Sequence, residues 1–131
     1  MDTVIVQQDR EFRVAVQAQS EGEEELHQVM HIHELSPYTM LLVSVGLCTT
    51  VVLHTYAQHH GIGLDLAEVT VSYHRKEESD SKSGRTYTEW LEESFQLEGE
   101  LSETQRDRLE HVGHQCSIRK MLESGIEVRV A

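Results

Sequence analysis

The amino-acid sequence predicts a single α+β domain, and three observations carry that prediction. A long apolar segment opens at Ser36-Pro37, segments of alternating polarity flank it on both sides, and a capped second helix begins at Ser102. A length of 131 residues fits one domain, and 38% hydrophobic with 26% charged residues is the composition of a folded globular chain rather than a disordered one.

Thr3 to Val6 and Glu11 to Val16 are expected to form a hairpin around a polar turn at Gln7 to Arg10, because Phe12, Val14 and Val16 alternate with Arg13, Ala15 and Gln17. After a turn at Glu21 to Glu24, the stretch Glu25 to His33 reads as a third strand. Its one face would hold Leu26, Gln28, Met30 and Ile32, and its other His27, Val29, His31 and His33. Residues 1–33 are thus the N-terminal strands.

Ser36 can cap the free amides of a helix whose first turn accepts Pro37, where the missing N–H does no harm. That helix is expected over 36–60, with Gly61 available as its left-handed stop. From Met40 to Leu53 it is apolar nearly all round, which places it inside the fold. Those fourteen residues, interrupted by Ser44, Gly46, Thr49 and Thr50, fall short of the roughly 20 that a membrane span requires.

Two further strands are expected within 65–101, from Asp65 to Arg75 and from Trp90 to Leu101, joined by a polar hairpin loop that includes Ser79 to Gly84. Ser102-Glu103-Thr104-Gln105 is a capping box that opens a second helix over 102–123, ended by Ser124-Gly125. Ile126, Val128 and Val130 then predict a final strand at 125–130. The short sheets and one further helix of so small a chain cannot cover the apolar helix, so a homodimer is expected.

The net charge of −12 opposes phosphate backbones and anionic lipid, and no run of Lys and Arg offsets it, so neither nucleic acid nor membrane is an expected partner. The first sixteen residues carry Asp2, Asp9, Arg10, Glu11 and Arg13, which leaves no apolar run for a secretory signal and points to the cytoplasm. In a reducing compartment the two cysteines, Cys48 in the first helix and Cys116 near the middle of the second, are not a permanent staple. They are either inert core residues or a redox or metal pair.

The string SPYTMLLVSVGLCTT resembles the central helix of the OsmC/Ohr family, the osmotically inducible protein C and organic hydroperoxide resistance proteins, in which a Pro-initiated helix presents a cysteine at this interval. LDLAEVTVSYHR and LEGELSETQRDRLEHVGHQCSIRKML follow the family's order as well, so the resemblance spans roughly residues 30 to 130. It implies an intertwined homodimer with antiparallel sheets around two central helices, active sites at the subunit interface, and thiol peroxidase chemistry on organic hydroperoxides. Cys48 would attack the peroxide, Cys116 would resolve the sulfenic acid as a disulfide, and an external dithiol would reduce it, with no cofactor.

The family activates its attacking thiol with an arginine from the N-terminal strands, for which Arg10 is the first candidate here and Arg13 the second. The glutamate that holds that arginine in the family is absent, since Tyr38 follows Pro37, and Ser117 stands after Cys116 where Pro is common. Glu34, His33 and His114 are the accessory candidates, the first as a displaced carboxylate and the histidines as a base or cation beside Cys48. The alternative reading is a catalytically degenerate dimer of the same fold that binds a small apolar or electrophilic ligand at its interface, and Tyr38 is the residue that favours it.

Nine histidines are many for this length. His27, His31 and His33 on one strand face could hold a metal with Cys116 or His114 as fourth ligand, yet the favoured reading is surface or interface histidines and no metal. His54, six residues beyond Cys48, faces the other side of the helix.

Overall fold

The computed structural model describes residues 1–76 and 88–131, so the loop expected at Ser79 to Gly84 lies outside the described residues. The strands are β1 (Thr3–Asp9), β2 (Val14–Gln19), β3 (His27–Gln28), β4 (Gly63–Arg75) and β5 (Glu89–Glu100). The helices are α1 (Pro37–His59), α2 (Glu103–Gly113) and α3 (Ser117–Ser124), and a short 3-10 turn spans Ile32–Glu34. The α+β expectation holds, with one antiparallel five-stranded sheet in the order β3-β2-β1-β4-β5.

One face of that sheet is the floor of the core. Val4, Val6 and Gln8 of β1 alternate inward, as do Ala67, Val69 and Val71 of β4. A bulge between Leu64 and Leu66 shifts the parity of β4, so that Leu64 is buried as well. Gly99, across from Leu64, has φ +145°, and a Cβ there would sit 2.1 Å from the Gly63 carbonyl oxygen, so only glycine closes the bulge.

Helix α1 lies across β1 and β4. Ser36 caps it through its Oγ, which accepts from the Thr39 amide at 3.2 Å. Gly46 marks the closest approach to the sheet, because a Cβ there would meet Val6 Cγ2 at 2.8 Å and Val71 Cγ2 at 3.3 Å. Farther along, the His54 Nε2–H donates to the Gln8 carbonyl at 2.6 Å, which ties the helix to β1. By length and composition alone α1 could cross a bilayer. Its buried Thr39, Thr49, Thr50 and His54 and its seat on the sheet make it the core helix of the domain. Helix α2 packs alongside α1 and buries Leu109, and Gly113 meets the Phe95 ring so closely that a Cβ would stand 2.6 Å from Cε2.

Four expectations are corrected. β1 continues through Gln7 and Gln8 to Asp9, and the turn falls at Arg10 to Arg13 instead of Gln7 to Arg10. Gln8 is buried against His54, while the Asp9 carboxylate accepts the amides of Glu11 and Arg13, each at 3.0 Å, and closes the turn one step later. The third strand shrinks to two residues because the Glu34 carboxylate accepts the amides of His31 and Met30 and curls the chain into the 3-10 turn. The second helix is broken, since the amides of His114 and Gln115 turn back to the carbonyls of His111 and Val112 and α3 starts anew after Cys116. Residues 125–130 form no strand, and Val128 and Val130 stand 90% and 99% exposed.

Gly46→Ala places its methyl group against Val6, and overpacking of this kind costs about 1–3 kcal/mol. Urea unfolding should show a lower midpoint with an unchanged slope. An unchanged midpoint would show that Gly46 does not set the seat of α1.

Candidate functional site

The two cysteines meet where α1 passes the start of α3. Cys116 is fully buried and is the N-cap of α3, with its Sγ accepting the Arg119 amide at 3.4 Å. Cys48, half-buried on α1, lies with its Sγ 3.8 Å from Ser117 Oγ. That contact, with Cys116 one residue before Ser117, brings the two thiols to the same end of α3. Both cysteines are free thiols.

This arrangement follows from helix geometry. The first turn of any helix leaves amides without an internal acceptor, and here the Cys116 sulfur takes that of Arg119. Burial pushes the Cys48 thiol up, but the hydrogen bonds from Cys116, Ile118 and Ser117 outweigh it and hold Cys48 below the ordinary thiol range. Cys116 goes the other way, raised by its burial and by the neighbouring Cys48 sulfur. The two thiols are thus shifted in opposite directions, Cys48 towards the thiolate and Cys116 towards the neutral thiol.

The other candidate residues scatter. Arg10 pairs with Asp65 at 2.8 Å, and its carbonyl accepts from Gln58 at 2.8 Å. Gln58 is ten residues past Cys48, about 15 Å along the helix axis. Arg13 is held in its own turn by Asp9 and Glu11. Within one protomer neither arginine reaches the thiols. Tyr38, in the first turn of α1, packs on Tyr73 at 5.1 Å and lines a separate cavity of about 470 Å³ with Asp2 and Arg75. Glu34 is occupied by the His31 and Met30 amides, which hold its carboxyl below the usual range.

His33 stacks on His31 at 5.5 Å, and His27 turns to Glu23 at 3.3 Å, so the three histidines do not share a strand face. Among the described residues no group of three His, Cys, Asp or Glu side chains converges to hold a metal. His114, at the end of α2, bonds to the Arg119 guanidinium and packs on Phe95 at 5.4 Å. It is the accessory candidate nearest the thiols in the chain.

Sequence reasoning missed Ser117, Ile118 and Arg119 as partners of sulfur, and it missed Glu93. Gly113 inside a helical pattern was the available signal for the first three, since it marks where α2 can end. Glu93 accepts from Thr49 Oγ1 at 3.1 Å, one residue beyond Cys48, and lines a cavity of about 490 Å³ with Val45, Trp90, Leu91, Arg119 and Leu122. Burial raises its carboxyl pKa, and the Thr49 hydrogen bond and Arg119 offset this only in part.

The family model for OsmC-like proteins matches residues 30–131. The crystal structure of an OsmC-like hydroperoxide resistance protein from Jannaschia sp. CCS1 is similar with a TM-score of 0.58 at 12% identity, covering 98% of this chain and 91% of that one. An OsmC-like protein from Mycoplasma pneumoniae is similar with a TM-score of 0.53 at 15% identity, covering 91% and 85%. No curated protein matches in sequence. At these identities the two solved structures speak for the fold.

The raised carboxyl of Glu93 gives a signed pH dependence. Between its ordinary value near 4.5 and its higher folded value, the folded chain holds more protons than the unfolded one, so this group's contribution to stability falls as pH rises through that window. Glu93→Gln keeps a carbonyl for Thr49 and removes the charge. Thermal melts should place this variant above the parent at pH 7, with the gap closing by pH 4. Equal midpoints at pH 7 would overturn the assignment.

Proposed function

This chain belongs to the OsmC-like family, and we propose that it is a thiol peroxidase-like protein reducing organic hydroperoxides through Cys48 and Cys116. The observation that carries this reading is the placement of two free thiols at the start of α3, Cys116 as its N-cap and Cys48 against Ser117. The name of the Jannaschia neighbour, a hydroperoxide resistance protein, supports a peroxidase-related role.

In the proposed cycle the Cys48 thiolate attacks a peroxide oxygen, an S–O bond forms as the O–O bond breaks, and the alkoxide takes a proton and leaves as an alcohol. Cys48 is then a sulfenic acid. The Cys116 thiol attacks the Cys48 sulfur, so that the S–S bond forms and the hydroxyl leaves with the thiol proton as water. An external dithiol returns the pair to the reduced state by exchange. Such a cycle belongs in a reducing compartment, the cytoplasm. A homodimer fits the exposed Tyr38, Met40, Leu41 and Val51 of α1 and the unpaired apolar residues after Gly125.

A second reading keeps fold and dimer and replaces catalysis by binding of a small apolar or electrophilic molecule. Tyr38 favours it, because it packs on Tyr73 in the first turn where a carboxylate would otherwise hold a guanidinium.

Exposure of the reduced protein to cumene hydroperoxide, with thiols mapped by mass spectrometry, separates the two. The peroxidase reading expects rapid Cys48–Cys116 disulfide formation, faster than with hydrogen peroxide. It also expects Cys48→Ser to abolish turnover and Cys116→Ser to stop at a sulfenate that dimedone traps. Two unreacted thiols would leave only the binding reading.

A further inference from the structure

We propose that Ser117 and the first turn of α3 activate Cys48 directly, supplying by hydroxyl and amide donors what a guanidinium supplies in an arginine-activated thiol. The inference deepens the site read above as a peroxidase centre, but it concerns the acidity of Cys48, which is measurable without peroxide.

Three observations converge on it. Ser117 Oγ stands 3.8 Å from the Cys48 sulfur, and a hydroxyl at that range donates to a thiolate. The amides of Ser117 and Ile118 are the first two of α3, so they are free of helical carbonyls, and they lie at the helix end where Ser117 Oγ meets that sulfur. The aligned peptide dipoles of α3 add a partial positive charge at this end, which lowers the energy of an anion placed there.

The charged groups around Cys48 are engaged elsewhere. Arg119 on α3 gives its amide to Cys116 and its guanidinium to His114 and Glu123. Glu93 on β5 is turned to Thr49, and on β1 and β4 Gln7 bonds to Glu68 across the strands. His54 is committed to the Gln8 carbonyl, and Arg10 to Asp65. The titratable neighbour of Cys48 at this end of α3 is the Cys116 thiol. Within one protomer and among the described residues no guanidinium is bonded to that sulfur, and the hydroxyl of Ser117 is the side-chain group bonded to it.

Position 117 offers a graded test because it is the first residue of α3, where proline fits without breaking the helix. Ser117→Thr keeps hydroxyl and amide, Ser117→Ala removes the hydroxyl, and Ser117→Pro removes both. The readout is the pH dependence of Cys48 alkylation by iodoacetamide in the full chain, followed on the Cys48 peptide by mass spectrometry, with circular dichroism as the check on folding. The midpoint of the profile should stay with the parent in the Thr variant and rise in the order Ala, then Pro. The thiolate population at neutral pH should fall about threefold or more for Ala and about tenfold or more for Pro.

Should Ser117→Pro fail to fold, the Ala and Thr pair still decides the matter. An Ala midpoint equal to that of the parent overturns the proposal. A rising midpoint in a protein that leaves cumene hydroperoxide untouched would uphold this inference and sink the peroxidase reading, whereas peroxide turnover with an unmoved midpoint would do the reverse.

Discussion

The amides at the start of α3 have no carbonyl of their own helix to bond, and the structure satisfies them with sulfur. Cys116 takes the Arg119 amide as an N-cap, and Cys48, on the neighbouring helix, meets the Ser117 hydroxyl in the same turn. An N-cap is ordinarily an oxygen from Ser, Thr, Asp or Asn. With sulfur in that place, a requirement of helix formation is met by a thiol side chain. The break between α2 and α3, the crossing of α1 and the burial of Cys116 all follow from keeping those contacts in register.

The sheet supplies the rigid part of that register. β1 and β4 present a flat apolar floor of Val4, Val6, Val69 and Val71, and α1 settles on it at Gly46, two residues before Cys48. On the other side Gly113 brings the end of α2 against Phe95, three residues before Cys116. Each cysteine thus sits within a turn of a glycine whose missing side chain fixes how closely its helix is packed. Polar ties at the far end, from His54 to Gln8 and from Gln58 to Arg10, keep α1 from rolling.

Much of this was legible in the residues. Ser36 with Pro37, and Ser102 with Gln105, are local signals whose meaning depends on no distant partner, and both helices begin where these residues cap them. The resemblance that put both cysteines on helices also agrees with the family match. What was not legible depends on tertiary contacts. Gln7 and Gln8 look like a turn until His54 arrives to bury Gln8. Glu25 to His33 alternates like a strand, yet only two residues find a partner in β2, because Glu34 captures the amides that would have continued it. Cys116 reads as a helix interior because sulfur is not a recognised cap. Ile126, Val128 and Val130 alternate as a strand should, but strands are made by pairing, and among the described residues they have no partner strand.

The glycines at 46 and 113 carry a consequence for anyone altering this chain. In most enzymes stability can be tuned in the core and reactivity in the site with little crosstalk, since the two are built from different residues. Here a single methyl group added beneath α1 or beside Phe95 would lift one sulfur relative to the other by a few tenths of an ångström, the scale on which hydrogen bonds to sulfur strengthen or fail. Interior packing in this domain bears on the spacing of the two sulfurs, so substitutions at these glycines act on the core and on the neighbourhood of the thiols together.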